Sequence, residues 1–379
     1  MERSNRHPVD ATGTSFQCLK PEVPAIQAKS RSNLWRCNLS VTLKDVAARA
    51  EVSPIVVSKV LHGKAKSIRV STATAERVRQ AAEDLNYKCN IVARNLRSQK
   101  TGVIGLLHGT GAVWPHFDKG SRYFASLMDG ILQGAFESEY SVMLCPILLG
   151  KKPEDGMYDG RFDGLVWYCS TITPETEKII NDSPIPLVLI HTKSDRFTNR
   201  PSVICDNVQG IGLAIEHLMI LGHTSIGFIA EGFIRSDEMQ ERRMAFLAQM
   251  KAHGLKATEE DILEVSVHQH EIDDYLKQGP CHTAVICSTE ELAAQCIRRA
   301  PTHQVNIPHQ LSVIGFDSTD YCNELRPALT AIYQPLKIIG RKAIHLLLDS
   351  IQGASPRADT LVIPCGLDIR ESTSTPKLM

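Results

Sequence analysis

The chain has 379 residues, enough for two or three folding units, and its 43% hydrophobic and 22% charged residues lie in the globular range. This composition excludes a largely disordered, fibrous or membrane-embedded protein. The net charge of zero hides an asymmetry, because residues 41–100 carry +7 (12 basic, 5 acidic) and residues 101–379 carry −10 (24 basic, 34 acidic). A basic segment joined to an acidic body is typical of a nucleic-acid-binding module attached to a second domain.

Cysteine usage and apolar runs predict the compartment. Eleven cysteines are an odd number, contain no C-x-x-C pair and lie mostly in apolar runs, which indicates reduced thiols. No apolar run approaches the roughly 20 residues of a membrane-spanning helix. The chain also does not open with the positively charged segment and following apolar stretch of a signal peptide. We therefore expect a cytoplasmic protein, associated with the bacterial nucleoid and without a membrane partner.

Residues 1–40 are rich in Ser, Arg, Asn and Pro and lack apolar periodicity. Such a segment cannot bury a core, so we predict a disordered tail or a start site assigned too early. No function is assigned to it.

Residues 41–88 have the spacing of a helix-turn-helix unit. Thr42 and Asp45 form a capping-box-like start, and a short apolar face follows at Val46, Ala47 and Ala50. The next helix has Ser53 as N-cap and Pro54 as its first residue, and its core positions are Val57, Val60 and Leu61. Its outward positions lie where a recognition helix meets base edges: Pro54, Ile55, Ser58 and Lys59.

A third helix is predicted from Ser71 or Thr72, with Val78, Ala82 and Leu85 buried and Asn86 in the left-handed position that ends it. Residues 89–100 then predict a fourth short helix, in which basic side chains surround the apolar Leu96.

From Gly102 to the C-terminus, about eleven β-rich runs alternate with amphipathic stretches, beginning with GVIGLLH and ending with LVIPCGLDI. Alternating strands and helices indicate parallel sheets covered on both faces. Eleven strands are many for one sheet, so residues 101–379 are predicted to form two α/β lobes.

Several segments together resemble the lactose-repressor (LacI/GalR) family of bacterial transcription regulators: VTLKDVAARAEVS, VSKVLHGK, VSTATAERVRQAAEDLNY, ARNLRS, SVICDNVQGIGLAIEHLMILGHTSIGFIA and LSVIGFD. The resemblance implies a second helix in the major groove, a hinge helix at residues 89–100 that folds on operator DNA, and a leucine wedge in the minor groove. It also implies a homodimer whose body is similar to periplasmic sugar-binding proteins, with two Rossmann-like lobes joined by three crossovers and a ligand in the cleft.

By position, the resemblance assigns DNA contacts to Thr42, Ser53, Pro54, Ile55, Val56, Ser58, Lys59, His62, Asn90, Arg94 and Leu96. Several of these positions depart from the family pattern. Ile55 can contact a thymine methyl group but cannot hydrogen-bond, and Lys59 replaces an arginine fork that grips guanine. Glu51 also replaces a glycine in the turn. The preferred operator is therefore expected to be unusual.

The resemblance also assigns effector contacts to Tyr123, Phe124, Arg242, Thr289 and Asp317. A guanidinium and a carboxylate on opposite sides of a cleft suit a polyol, which offers both donors and acceptors. Thr289 and Glu290 replace the family's Asn-Asp pair, which puts its usual sugar contacts in doubt.

No catalytic motif, cofactor motif or metal-ligand spacing is present in the sequence. Gly109-Thr110-Gly111 lacks the later glycine of a dinucleotide fingerprint. His268 and His270 alternate at a predicted strand end, and a solvated pair is favoured over metal ligands. We therefore expect no enzyme activity, no cofactor and no metal.

The leading hypothesis is a transcription regulator, in particular a repressor, whose affinity for double-stranded operator DNA responds to a small-molecule effector such as a sugar. One alternative is a sugar- or nucleobase-binding protein without regulatory DNA binding. Another is an enzyme on the same lobes, which requires a nucleophile or an acid–base pair in the cleft.

Overall fold

The structure is a computed structural model that describes residues 41–62, 69–88, 100–108, 122–145, 157, 160–168, 172–232, 236–266, 270–353 and 359–376. The predicted tail and residues 89–99 of the predicted hinge helix lie outside these residues. The chain divides into two compact units, Met1–Asn90 and Ile91–Met379, each described separately below.

The first unit contains three helices, α1 (Leu43–Arg49), α2 (Pro54–His62) and α3 (Thr72–Asp84). The predicted capping box is confirmed: Thr42 N–H donates to Asp45 Oδ2 at 2.7 Å, and Asp45 N–H donates to Thr42 Oγ1 at 3.4 Å. Val46, Val57 and Val78 are fully buried at the centre of the three helices.

Two positions in this unit lie in the left-handed region of the backbone. Asn86 follows α3 at φ 47°, as predicted, and Glu51 adopts φ 53° in the turn between α1 and α2. Of the residues predicted to be buried by α3, Val78 is buried, whereas Ala82 and Leu85 are only partly buried, and Ala81 is buried in addition.

The second unit contains two six-stranded sheets. The first has the order β11-β5-β4-β3-β1-β2, is parallel throughout, and contains β1 (Val103–His108), β2 (Ser141–Cys145), β3 (Gly164–Tyr168), β4 (Leu187–Ile190), β5 (Ser202–Cys205) and β11 (Thr360–Ile363). Helices α4 (Arg122–Glu137), α5 (Pro174–Asn181) and α10 (Leu336–Ile351) belong to this lobe.

The second sheet has the order β12-β10-β9-β8-β6-β7, and only β12 runs antiparallel to its neighbour. Its strands are β6 (Ile226–Glu231), β7 (Ile262–Val265), β8 (Ala284–Cys287), β9 (Ser312–Asp317), β10 (Thr330–Tyr333) and β12 (Gly366–Asp368). Helices α6 (Asn207–Ile220), α7 (Asp237–Ala252), α8 (His270–Lys277) and α9 (Glu290–Arg299) complete the second lobe.

The chain passes between the sheets three times, after β5, after β10 and between β11 and β12. The prediction of one strand in LVIPCGLDI is wrong: Pro364 and Cys365 separate β11 and β12, which belong to different sheets. Otherwise the alternation of strands and helices predicts the two lobes correctly, because both sheets are buried under helices and their strands are almost continuously apolar.

The region around the predicted histidine pair also differs from expectation. The strand β7 ends at Val265, before the predicted run EVSVH is complete, and His270 is the first residue of the unpredicted helix α8. His268 lies outside the described residues. Among the described residues, no helix combines the length and the apolar character that a membrane span requires.

Candidate functional site

A cavity of about 290 Å³ lies between the two lobes of the second unit, where strands of both sheets reach their carboxyl ends. This is where open α/β folds bind ligands. The cavity is lined by Arg122, Tyr123, Tyr168, Glu231, Ser236, Glu238, Met239, Arg242, Thr289, Glu290, Glu291, Asp317 and Tyr321. The first lobe contributes the first three residues and the second lobe contributes the others.

Arg242, on α7, is held in place by the protein itself. Its side chain is 1% exposed and lies 3.5 Å from the centre of the Phe316 ring. Nε donates to Asn207 Oδ1 at 2.9 Å, and Nη1 donates to the carbonyl oxygen of Ser288 at 2.7 Å. Few of its five donors remain for a ligand, so Arg242 contributes a fixed positive charge more than a mobile clamp.

Asp317 ends β9 with φ 98°, a left-handed conformation that is strained for a residue other than glycine. Its Oδ1 lies 3.8 Å from Arg242 Nη1 and has no hydrogen-bond partner among the described residues. Burial raises its pKa to about 7, helped by Glu290, Glu238 and Glu231 and opposed by Arg242. The expectation that Arg242 and Asp317 face each other across the cleft is wrong, because both belong to the second lobe.

The lobes are instead connected by a polar chain that the sequence did not indicate. Tyr123 of α4 hydrogen-bonds through its hydroxyl group to His191 Nε2 at 2.7 Å, and His191 Nδ1 lies 2.8 Å from Glu238 Oε1. Burial acts to raise the pKa of Glu238, but the charges of His191 and Arg242 outweigh it and lower the pKa. Burial raises the pKa of the Tyr123 phenol, so this group stays protonated and remains a donor.

The remaining effector predictions have different outcomes. Thr289 lines the cavity, but its hydroxyl group caps α9 by accepting from Leu292 N–H at 3.3 Å. The adjacent Glu290 is buried and accepts from the backbone N–H and hydroxyl of Thr319. Phe124 lies in the core against Tyr168 and does not line the cavity, since the side of α4 on which it lies packs against the first sheet.

Sequence reasoning missed the residues that supply most of the cavity charge and the link between the lobes. His191 follows an apolar strand and has φ 65°, and Glu231 ends β6. Their positions at the carboxyl ends of parallel strands could have identified both residues as candidates, because these ends meet at one edge of a sheet. Glu238 lies in the first turn of α7, and only the tertiary fold brings it to the cavity.

In the first unit, the N-terminal turn of α2 presents the predicted DNA-reading face. Ser53, Pro54 and Ile55 are exposed, and Ile55 is 61% exposed. Val56, Ser58 and Lys59 are half-buried, and Thr42 lies at the start of α1 with its side chain engaged in the capping box. An exposed isoleucine on the outer side of the predicted recognition helix is available for apolar contact with bases.

Asn90, Arg94 and Leu96 lie outside the described residues, so these three assignments stay predictions. His62 is the last residue of α2 and also stays a prediction.

The body of the chain begins at an anchored segment. Thr101 N–H donates to Asp163 Oδ1 at 2.6 Å and Gly102 N–H donates to Asp163 Oδ2 at 2.9 Å. The Thr101 hydroxyl donates to the same carboxylate at 3.0 Å. One side chain therefore fixes the residues that follow the predicted hinge to the start of β3.

Within the described part of the chain, no three His, Cys, Asp or Glu side chains are grouped so that they could hold a metal ion.

Two family profiles match the chain. Residues 42–90 match bacterial regulatory proteins of the lacI family, and residues 215–373 match a periplasmic binding protein-like domain. These regions contain the three helices of the first unit and most of the second lobe, in agreement with the predicted fold class.

Similar proteins extend the match to most of the chain. The HTH-type transcriptional repressor PurR of Vibrio parahaemolyticus is 30% identical over 323 residues, covering 82% of this chain and 92% of PurR. Catabolite control protein A of Priestia megaterium is 28% identical over 344 residues, covering 88% of this chain and all of that protein. The solved Lac repressor dimer bound to operator and the anti-inducer ONPF has a TM-score of 0.72 at 22% identity, covering 88% of this chain and 99% of the repressor chain.

Proposed function

The chain belongs to the LacI family of bacterial regulatory proteins, and we propose that it is a repressor whose effector is a hydroxyl-rich molecule bound between the two lobes. It is a DNA-binding transcription regulator whose DNA affinity responds to a small-molecule effector. The match of residues 42–90 weighs against the alternative of a binding protein without regulatory DNA contacts.

The observation that carries the proposed ligand is the composition of the cavity. Arg122 and three tyrosines offer guanidinium and hydroxyl groups for hydrogen bonding, and carboxylates at the ends of β6 and β9 can accept hydrogen bonds. A polyol presents both donors and acceptors, so it can satisfy both kinds of group. The volume of about 290 Å³ is near the lower limit of ligand pockets, which suits a monosaccharide more than an oligosaccharide.

The proposed coupling uses contacts that span the lobes. A ligand that contacts Tyr123 and Tyr168 from one lobe and Asp317 from the other favours one lobe arrangement, because it binds that arrangement more tightly. The chain crosses between the lobes three times, so a change of arrangement alters the first lobe, where Asp163 anchors residues 101 and 102. The operator affinity then changes through the predicted hinge at residues 89–100.

DNA recognition is tested by selecting preferred duplexes from a random pool and measuring affinity by fluorescence anisotropy at two salt concentrations. We expect sequence preference together with affinity that falls steeply with salt, since phosphate contacts release counterions. The variant Ile55→Ser is expected to lose about tenfold affinity for the selected duplex and little for random duplex, because it removes an apolar base contact.

Ile220→Ser is the matched control, because Ile220 is also an exposed isoleucine but lies on α6 of the body. Equal losses for both variants, or binding that is indifferent to sequence, would contradict the regulator function.

We also propose that the protein binds its operator as a homodimer. Phe136 on α4 is 85% exposed, Leu132 one turn earlier is exposed on the same side of the helix, and Met143 lies on the edge strand β2. Large exposed apolar side chains of this kind mark association surfaces. The symmetry of a dimer requires a near-palindromic operator.

Sedimentation equilibrium tests this surface. The variant Phe136→Asp is expected to shift the protein from dimer toward monomer and to weaken operator binding, because it buries an unpaired charge in the interface. Met244→Asp is the comparison, since Met244 is another exposed apolar residue but lies in the second lobe, and dissociation by Met244→Asp alone would place the interface there. A dimer that survives Phe136→Asp would place the interface elsewhere.

As a regulator of transcription, the protein is proposed to act in the cytoplasm at the nucleoid. No catalytic step is assigned to the cavity, and the relatives named above are transcriptional regulators.

A further inference from the structure

Among the described residues that line it, the cavity between the lobes has an excess of negative groups. These carboxyl groups are those of Glu231, Glu238, Glu290, Glu291 and Asp317, and the guanidinium groups are those of Arg122 and Arg242. A neutral polyol does not require this imbalance. The excess of carboxyl groups therefore favours a ligand that carries a positive charge.

Both guanidinium groups are already paired within the protein. Arg242 lies 3.8 Å from Asp317 and 4.0 Å from Glu238 and donates to three further residues, Asn207, Ser288 and Gln334. Arg122 Nη2 lies 2.8 Å from Glu324, and its guanidinium lies 5.1 Å from the centre of the Tyr321 ring. Neither arginine supplies an uncompensated positive charge to an anionic ligand. Arg122 Nη1, which is buried without a hydrogen-bond partner, remains able to donate to a neutral oxygen.

Two carboxyl groups at the strand ends lack hydrogen-bond donors. Asp317 is 7% exposed, and no described residue donates to its Oδ1. The Glu231 side chain, at the end of β6, is half-buried and makes no hydrogen bond or ion pair with a described residue, and burial raises its pKa. An unsatisfied buried acceptor costs free energy, and the cost is larger when the acceptor is charged. A ligand that brings a donor to Asp317 Oδ1 removes this cost, and the half-buried Glu231 carboxyl group, which lines the same cavity, can accept from the same ligand.

Aromatic rings complete the environment of a cation. Tyr123, Tyr168 and Tyr321 line the same cavity, and the faces of aromatic rings attract cations. A phosphorylated or carboxylated ligand is disfavoured, because it would place further negative charge among five carboxyl groups.

We propose that the effector is a cationic polyol, specifically an amino sugar with a protonated amine, such as a 2-amino-2-deoxyhexose. Its ammonium group binds at Asp317 and Glu231, its hydroxyl groups bind Arg122 and the tyrosines, and its ring fits the volume of about 290 Å³. This inference rests on the proposed function, and it narrows the ligand from hydroxyl-rich molecules to hydroxyl-rich amines.

Calorimetry on the full-length protein tests the inference with matched pairs: glucosamine and glucose, galactosamine and galactose, mannosamine and mannose. We expect at least one amine to bind about tenfold tighter than its parent hexose, since one added charge-assisted contact of about 1.4 kcal/mol gives this ratio. Glucosamine 6-phosphate is expected to bind more weakly than glucosamine. The inference is overturned if no amine binds, or if a parent hexose or the phosphate ester binds as tightly.

Operator anisotropy in the same samples separates this inference from the proposed function. If a neutral hexose binds more tightly than its amine and changes operator affinity, the proposal of an amino sugar is wrong and the proposed regulator function stands. If the protein shows no preference among duplexes, the regulator function itself is wrong, whatever the sugars do.

Isosteric variants test the two carboxyl groups. Glu231→Gln and Asp317→Asn are expected to reduce the affinity of the preferred amine about tenfold and that of its parent hexose by less than about threefold. Glu260→Gln, on an exposed turn outside the cavity, is the control and is expected to bind like wild type. Glu231→Gln keeps the test usable if Asp317→Asn does not fold. Equal losses for amine and hexose would overturn the assignment.

Discussion

Asp317 shows how the position of one residue in the fold determines its chemistry. The sequence LSVIGFD places a carboxylate at a strand end, but the fold removes it from water beside Glu231, Glu238 and Glu290, with Arg242 as its nearest cation. Its left-handed backbone adds strain at the same point. Its burial and its left-handed backbone both cost free energy of folding. Residues with such a cost are typical of binding sites, because they are kept for the contact with the ligand.

This setting predicts a pH dependence of stability. The pKa of Asp317 is raised from its ordinary value of 3.8 to about 7 in the fold, so its stabilising contribution is complete below about pH 4 and is lost as the pH rises through 7. The Asp317→Asn variant has no carboxyl group to ionise at this position, so it does not lose stability in this way as the pH rises. Its free energy of unfolding, relative to wild type, is therefore expected to increase between pH 5 and 8, by up to a few kcal/mol at about 1.4 kcal/mol per pKa unit.

Urea unfolding at both pH values, without ligand and at one protein concentration, measures the difference. Parallel pH profiles for wild type and Asp317→Asn would show that the fold does not disfavour the charged carboxylate.

At the scale of elements, the contact between α4 and α10 depends on two glycines. A Cβ atom at Gly130 would lie 2.1 Å from the carbonyl oxygen of Lys337, and one at Gly340 would lie 2.5 Å from the carbonyl oxygen of Leu127. The two helix backbones therefore touch directly. This contact also supports the cavity, because α4 begins at Arg122 and Tyr123 and α10 covers the first sheet.

Gly130→Ala is expected to reduce the free energy of unfolding by about 1–3 kcal/mol, because the helices must separate to admit the methyl group. Gly212→Ala is the matched control, also within a helix, where the added Cβ would meet only the flexible Gln249 side chain at 3.4 Å. It is expected to be neutral or to stabilise by up to about 1 kcal/mol. Denaturant unfolding of both variants measures the contrast, and a similar effect of both would contradict close contact at Gly130.

At the scale of the whole molecule, the second unit combines a cavity between two lobes with an anchored starting segment. Asp163 accepts from Thr101 and Gly102, immediately after the predicted hinge. The Asp163 carboxylate does not line the cavity. Its proposed role is to transmit a change in the first lobe to residues 89–100.

Asp163→Asn is expected to reduce the effect of saturating effector on operator affinity several-fold, because an amide cannot accept all three hydrogen bonds and coupling energies are typically about 1–3 kcal/mol. Effector affinity itself should change little. Operator anisotropy with and without effector, combined with calorimetry, measures both quantities. The control is Asp182→Asn, an exposed residue after α5, and an unchanged effector response in Asp163→Asn would remove the anchor from the mechanism.

Local patterns in the sequence predicted the elements well. Caps and apolar spacing identified α1, α2 and α3, since Thr42 and Ser71 hydrogen-bond within one helical turn. Alternating apolar runs identified most strands, because strands buried on both faces are continuously apolar. The prediction missed α8, although Ile272 and Leu276 have the i, i+4 spacing of an amphipathic helix, because the helix has only eight residues.

The module order, the fold class and the predicted DNA-reading helix follow from segment charge and from interactions between residues close together in the chain. By contrast, the packing of the two lobes places Arg242 and Asp317 in one lobe, buries Phe124 in the core, and connects the lobes through Tyr123, His191 and Glu238. These features join residues tens of positions apart. Their geometry depends on how two sheets and three crossovers pack, which no local spacing records.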